Sequence, residues 1–329
     1  MKKILIAILT LLFVAPLGFF GCSKKNANVI RVSEVTHSVF YAPLYIAINN
    51  GYFADYGIEI ELSNGGGADK CMTALVSKSA EIALMGPEAT IYVANQGKQD
   101  MPVVFGQLTK RDGSFIIGRE NITNFTWSVL DNKEILGGRR GGVPAMTLEY
   151  AIRKNNVQNC TINYDVAFDN LTSAFIGGTG DFVTAFEPTA STITANGRGY
   201  ILASVGAETG EIPYTAFTAN RSYITNNTET VKNFLRAIIR GYNYLVSADI
   251  DDIVVALKPS FDGTSDALLK KSIQAYIAID SWNSTPVMSE VAYNNLMKII
   301  KDSGTLTEDV EMSKVVDNSI ALEVLKEMA

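Results

Sequence analysis

The 329-residue chain holds one histidine, His37, and three cysteines. That scarcity excludes a metal site of the His/Cys type and would make any Ser–His–Asp hydrolytic set depend on a single imidazole. Basic clusters are equally scarce, none being longer than Arg139-Arg140, and the net charge is −6. No nucleic-acid partner is expected of such a surface. Past the N-terminus there is no second apolar run of spanning length, which takes roughly 20 residues.

What is present begins with Lys2-Lys3, an apolar run from Ile4 to Phe20, and Gly21-Cys22. A basic start, an apolar stretch and a small residue before a cleavage point form a secretory signal. Gly21-Cys22 resembles the bacterial lipoprotein signal. That resemblance implies a signal peptide over 1–22, an acylated Cys22, and a polar tether over 23–28. An uncleaved membrane anchor is the alternative, and either one places the rest of the chain outside the cytoplasm.

The interior carries one pattern twice. Thr73 to Gly97 and Ser173 to Gly197, 100 residues apart, each read as a short amphipathic helix, an acidic residue, a four-residue apolar strand, and a Pro beside a Glu that opens a second helix. Pro suits a first helical turn because its missing N–H would be unpaired there. The preceding segments match more weakly. Strand Ile30–Val35, a loop, Pro43, a helix and strand Ile58–Leu62 recur as strand Lys133–Leu136, a glycine loop, Pro144, a helix and strand Thr161–Tyr164. Alternating strands and helices build parallel sheets covered by helices.

Tyr200–Val205 and Tyr214–Ala219 read as further strands, and from Glu229 onward the spacing is helical. These helices are expected to return over the first unit. The reading is therefore α/β with two lobes, residues 29–109 plus 216–329 forming lobe 1 and 110–215 lobe 2. Crossings are expected near Gly106–Gly113 and Gly210–Thr218, so that the lobes can hinge around a ligand. Cys71 and Cys160 then fall in different lobes and are expected as free thiols, since a bridge would lock the cleft.

Several motifs together carry a family resemblance. Phe40-Tyr41-Ala42-Pro43-Leu44, Asn50-Gly51-Tyr52-Phe53, Gly86-Pro87-Glu88, Gly106-Gln107-Leu108-Thr109, Gly141-Gly142-Val143-Pro144, Gly178-Thr179-Gly180-Asp181 and Phe186-Glu187-Pro188-Thr189-Ala190 occur in order. The set resembles the substrate-binding proteins of ABC importers for nitrate, sulfonate, taurine and thiamine-pyrimidine precursors. The Gly141–Pro144 loop and the Phe186–Ala190 run look most like the thiamine-pyrimidine branch. The resemblance implies a type II-like periplasmic-binding-protein fold with parallel-rich sheets and two hinge crossings. It also implies a small-molecule ligand, a membrane permease as partner, a bilayer contact through the acyl anchor, a monomer, and no cofactor or metal. The family includes pyrimidine-making enzymes with a cysteine-rich iron motif, which this sequence lacks. A pyrimidine-synthase-like enzyme on the same scaffold and a ligand sensor without transport remain the alternatives.

Ligands of open α/β sheets bind beyond the carboxyl ends of the strands. That rule selects the loops Thr36–Tyr41, Asn64–Gly67, Gly86–Glu88, Gly138–Gly142, Asp169-Asn170 and Phe186-Glu187. From them and the hinge, Thr36, Phe40, Tyr41, Gly86, Glu88, Gly141, Gly142, Glu187 and Tyr214 are the candidate ligand contacts. Glu88 and Glu187 would repel a simple anion and suit a ligand with N–H donors, unless each caps its own helix. Phe40, Tyr41 and Tyr214 could sandwich a flat ring or pack in the core. Arg139-Arg140 could meet an anionic group or lie exposed, and His37 is read as a loop residue without a catalytic role.

Overall fold

The computed structural model describes residues 28–94, 96 and 100–329. The signal and Cys22 lie outside the described residues. The chain opens with β1 (Asn28–Glu34), α1 (Ala42–Asn49), β2 (Ile58–Asn64), α2 (Ala68–Val76), β3 (Ile82–Met85), α3 (Glu88–Val93) and β4 (Pro102–Thr109). A second series follows: β5 (Phe115–Gly118), β6 (Glu134–Leu136), α4 (Val143–Lys154), β7 (Thr161–Asn163), α5 (Leu171–Ile176), β8 (Phe182–Ala185), α6 (Thr189–Ala195), β9 (Tyr200–Ser204) and α7 (Val205–Thr209). Then come β10 (Thr215–Asn220), α8 (Arg221–Asn226), α9 (Thr228–Ser247), α10 (Ile250–Leu257), α11 (Asp266–Ala278), α12 (Glu290–Asp302), α13 (Met312–Val315) and α14 (Ser319–Met328). Asn28, read from sequence as tether, already belongs to β1, where its N–H donates to the Gly57 carbonyl.

Two five-stranded sheets result, ordered β2-β1-β3-β10-β4 and β7-β6-β8-β5-β9. In the first, β1 pairs in parallel with β2 and β3, while β10 runs antiparallel to β3 and β4. The second repeats that plan, with β6 parallel to β7 and β8, and β5 antiparallel to β8 and β9. Each antiparallel strand is the one with which the chain enters from the other sheet. The duplicated segments occupy matching places, their central strands being β3 and β8. Both are short runs, apolar but for Thr184, buried on both faces, as strands covered by helices require.

The helical tail departs from expectation. Helix α9 packs on α1 and α14, as a cover for the first lobe should, but α11 also touches α6 and α12 touches α4, both in the second lobe. For α11 the cause is an aromatic cluster at the seam. Phe40 is fully buried there, with ring centroids 5.0 Å from Tyr276 and 5.7 Å from Tyr214, and its carbonyl accepts the Trp282 indole N–H at 2.8 Å. Burying rings of this size draws in α11, since each removes a large apolar area from water. Cys71 and Cys160 are free thiols in different lobes.

Candidate ligand-binding cleft

A cavity of about 310 Å³ lies where the carboxyl ends of both parallel strand sets face each other. From the first lobe it is lined by Val35, Thr36 and Tyr41 after β1, Gly66 to Lys70 at the start of α2, and Gly86 and Glu88 around the start of α3. The second lobe supplies Arg139, Gly142, Val143 and Pro144 after β6, Tyr164 to Phe168 after β7, and Phe186 after β8. Tyr214 and Thr215 reach it from the strand that returns between the lobes. Five of these side chains are aromatic: Tyr41, Tyr164, Phe168, Phe186 and Tyr214.

Of the residues selected from sequence, Thr36, Tyr41, Gly86, Glu88, Gly142 and Tyr214 line the cavity, whereas Phe40, Gly141 and Glu187 do not. Phe40 packs beneath Tyr41 in the seam cluster. Gly141 turns its carbonyl to the Tyr92 hydroxyl, which donates to it at 2.7 Å. Glu187 caps its own helix. Its carboxylate accepts the Ser191 N–H at 2.9 Å and the Ser191 hydroxyl at 2.8 Å, and burial raises its pKa.

Glu88 is the contrasting case. It is 1 % exposed, and one carboxylate oxygen accepts a long bond, 3.4 Å, from the Val143 N–H at the start of α4. The other oxygen, Oε2, is buried without a partner. Burial pushes this carboxyl up to about 7, against the pull of the Val143 and Ala89 N–H groups and of Arg139. Gly86 is what admits the side chain, since a Cβ at that position would overlap the carboxylate.

The cations of the cleft are already engaged. Arg139 lies 3.3 Å from Asp69, and Lys70 lies 3.3 Å from Asp169, each pair spanning the lobes. Arg140 stands 4.1 Å over the Tyr164 ring. His37 lies to one side, its two ring nitrogens 2.7 Å from a Glu34 carboxylate oxygen and from the Ser260 carbonyl. Asp169 holds the rim through Lys70 while its neighbour Phe168 does the lining.

The residues missed from sequence are chiefly Tyr164 to Phe168 and the first turn of α2. A signal for the former existed: the offset of 100 that relates the repeats carries Asn64–Gly67 onto Tyr164–Ala167.

Two αβ lobes, each with parallel strands ending at a shared cleft and joined by two crossings, define the periplasmic-binding-protein fold. Residues 39–249 match the NMT1/THI5-like family model. The chain is also 38% identical over 307 residues to "Putative binding protein YtlA" of Bacillus subtilis (strain 168), covering 92% of each chain. It belongs to the NMT1/THI5-like family. Among solved structures, the alkanesulfonate-binding protein SsuA of Xanthomonas axonopodis pv. citri, bound to MOPS, superposes with a TM-score of 0.72 at 16% identity, covering 88% of this chain and 98% of that one. The nitrate-binding protein NrtA of Synechocystis PCC 6803 gives a TM-score of 0.71 at 13% identity, covering 92% and 89%. These two likenesses are likenesses of fold.

Proposed function

We propose that this protein is the extracytoplasmic solute-binding component of an ABC importer, tethered through a lipid on Cys22. In this reading it captures a small flat heteroaromatic ligand of the thiamine-pyrimidine-precursor kind between its lobes. The observation that carries it is the cleft itself, a cavity lined by five aromatic side chains with its two cations neutralised across the lobes. Aromatic walls favour a ring, and paired cations leave little for a free anion to gain. The relatives named above are binding proteins, which supports capture and handover in place of turnover. Among the described residues, no helix is long and apolar enough to cross a membrane.

A second reading, a sulfonate or nitrate ligand, is favoured by the proteins that share the fold. Melting curves with aminopyrimidines, flavins, sulfonates and nitrate separate the two. Ligand at 100 times its dissociation constant stabilises by about 2.7 kcal/mol, enough to raise the melting temperature by roughly 5 °C. A shift with heteroaromatic amines alone supports the first reading, a shift with sulfonates or nitrate alone supports the second, and no shift with any class counts against both.

A further inference from the structure

We infer that Glu88 selects the ligand, its buried free carboxylate oxygen accepting an N–H donor from the captured ring. The inference rests on the reading of the cleft as a site for a flat ligand. A buried carboxylate oxygen without a hydrogen bond is costly to keep, and Oε2 of Glu88 is in that position at the wall of a cavity. The protein could have satisfied it as it satisfied Glu187, with a serine four residues on. It carries Tyr92 there, whose hydroxyl is directed to Gly141. A ligand donor therefore completes the shell that the chain leaves open.

The same geometry works against an oxyanion. Oxygen facing oxygen at this depth is repulsive unless Glu88 holds a proton to donate. Tyr41, Tyr92, Tyr214 and Arg139 lie within its electrostatic reach, and Asp69 and Lys70 stand elsewhere on the cavity wall. Burial keeps the three tyrosines as neutral phenols. Asp112, behind Tyr214, is itself pushed up to about 6, so the readout is the difference between wild type and a Glu88 variant.

The test uses two probes of like shape whose charge is constant over the range, benzamidine (an amidinium donor) and benzenesulfonate (an oxyanion), titrated calorimetrically at pH 6 and pH 8. With Glu88 held at about 7, its ionised fraction rises about tenfold between those values. Benzamidine affinity is expected to rise by about the same factor in wild type and to lose that slope in Glu88→Gln. Gly86→Ala, whose added methyl displaces the carboxylate, is expected to weaken benzamidine without a matching loss for benzenesulfonate. Equal pH slopes for benzamidine in wild type and Glu88→Gln would overturn the assignment while leaving the cleft reading intact. Tighter wild-type binding of benzenesulfonate than of benzamidine would overturn it in favour of the sulfonate reading. Binding of neither probe would remove the flat-ligand reading and this assignment together. Should Glu88→Gln fail to fold, Asp112→Asn removes the other group that titrates nearby: a benzamidine affinity that still rises with pH in that variant upholds the assignment, and a flat or falling profile ends it.

Discussion

The Tyr92 hydroxyl on α3 donates a 2.7 Å hydrogen bond to the carbonyl of Gly141, tying the helix that carries Glu88 to the glycine loop of the opposite lobe. The bond spans the cleft, so it belongs to the closed arrangement. One such bond is worth about 1 kcal/mol net. Tyr92→Phe is therefore expected to weaken benzamidine about fivefold in calorimetric titration, with little change in the melting temperature of the empty protein. A lowered melting temperature with unchanged affinity would mean that the empty protein already holds its lobes together through this bond.

The lobes were legible because buried strands are written in short, mostly apolar runs, and Ile82–Met85 and Phe182–Ala185 stand at an interval the eye can find. The direction of β5 and β10 was not legible. Whether a strand is parallel depends on where the chain comes from, and nothing local in Phe115–Gly118 encodes that it enters from another sheet. The site was legible to the level of loops but not of side chains. Phe40 and Tyr41 are neighbours, yet one fills the seam and the other faces the cavity, a choice made by Tyr276 and Trp282 from far along the chain. Glu88 and Glu187 both stand beside a proline at a helix start. Ser191, four residues beyond Glu187, marks the capped one, and this was readable in the sequence.

His37 gives a pH dependence of stability. Its ring meets an acceptor at both nitrogens, the Glu34 carboxylate and the Ser260 carbonyl, so both bonds form fully only in the imidazolium. The Glu34 hydrogen bond is the chief cause of its raised pKa. A folded value above the unfolded one, roughly 6.5, means a contribution fully present below that value and lost as pH rises through the folded value. The side chain is 39 % exposed, so solvent screening holds the contribution to about 1 kcal/mol or less. Urea unfolding of wild type and His37→Gln should differ most at pH 5.5 and converge toward pH 8.5. A constant gap would mean that the neutral ring serves equally well.

Asp112 behaves in the same sense at a deeper site. It lies on the first crossing between the lobes, where one carboxylate oxygen accepts the Ser114 N–H at 2.6 Å and the other accepts the Thr147 hydroxyl of α4. Burial pushes it from 3.8 up to about 6, so its contribution is complete below 3.8 and lost as pH climbs through 6. That rise corresponds to roughly 3 kcal/mol at neutral pH. Asparagine can accept from Ser114 and donate to Thr147, whose own proton then serves the Val143 carbonyl at 2.8 Å. Asp112→Asn is therefore expected to stabilise the empty protein at pH 7 by as much as about 3 kcal/mol, and to flatten the urea-unfolding profile between pH 4 and 6. A variant less stable than wild type at pH 7 would show that the ion is well satisfied where it lies.

Gly241, within α9, separates the energetics of packing from those of the backbone. Alanine is the better helix former by about 1 kcal/mol, so a substitution decided by propensity alone would stabilise. A Cβ at Gly241, however, would overlap the backbone carbonyl of Pro43, and a carbonyl inside α1 cannot turn away as a side chain can. Relieving the overlap moves α1 off α9, at a cost of about 1–3 kcal/mol. Since α1 follows directly from Tyr41, its displacement also disturbs the cavity wall. Gly241→Ala should therefore lower both the urea midpoint and the affinity for benzamidine. Gly51 supplies the control. Its φ of +74° disfavours alanine by about 1 kcal/mol, but a Cβ there meets nothing within 4 Å. Gly51→Ala should lose stability and keep its affinity. If the two variants lost affinity alike, general destabilisation and not the seating of α1 would be the cause.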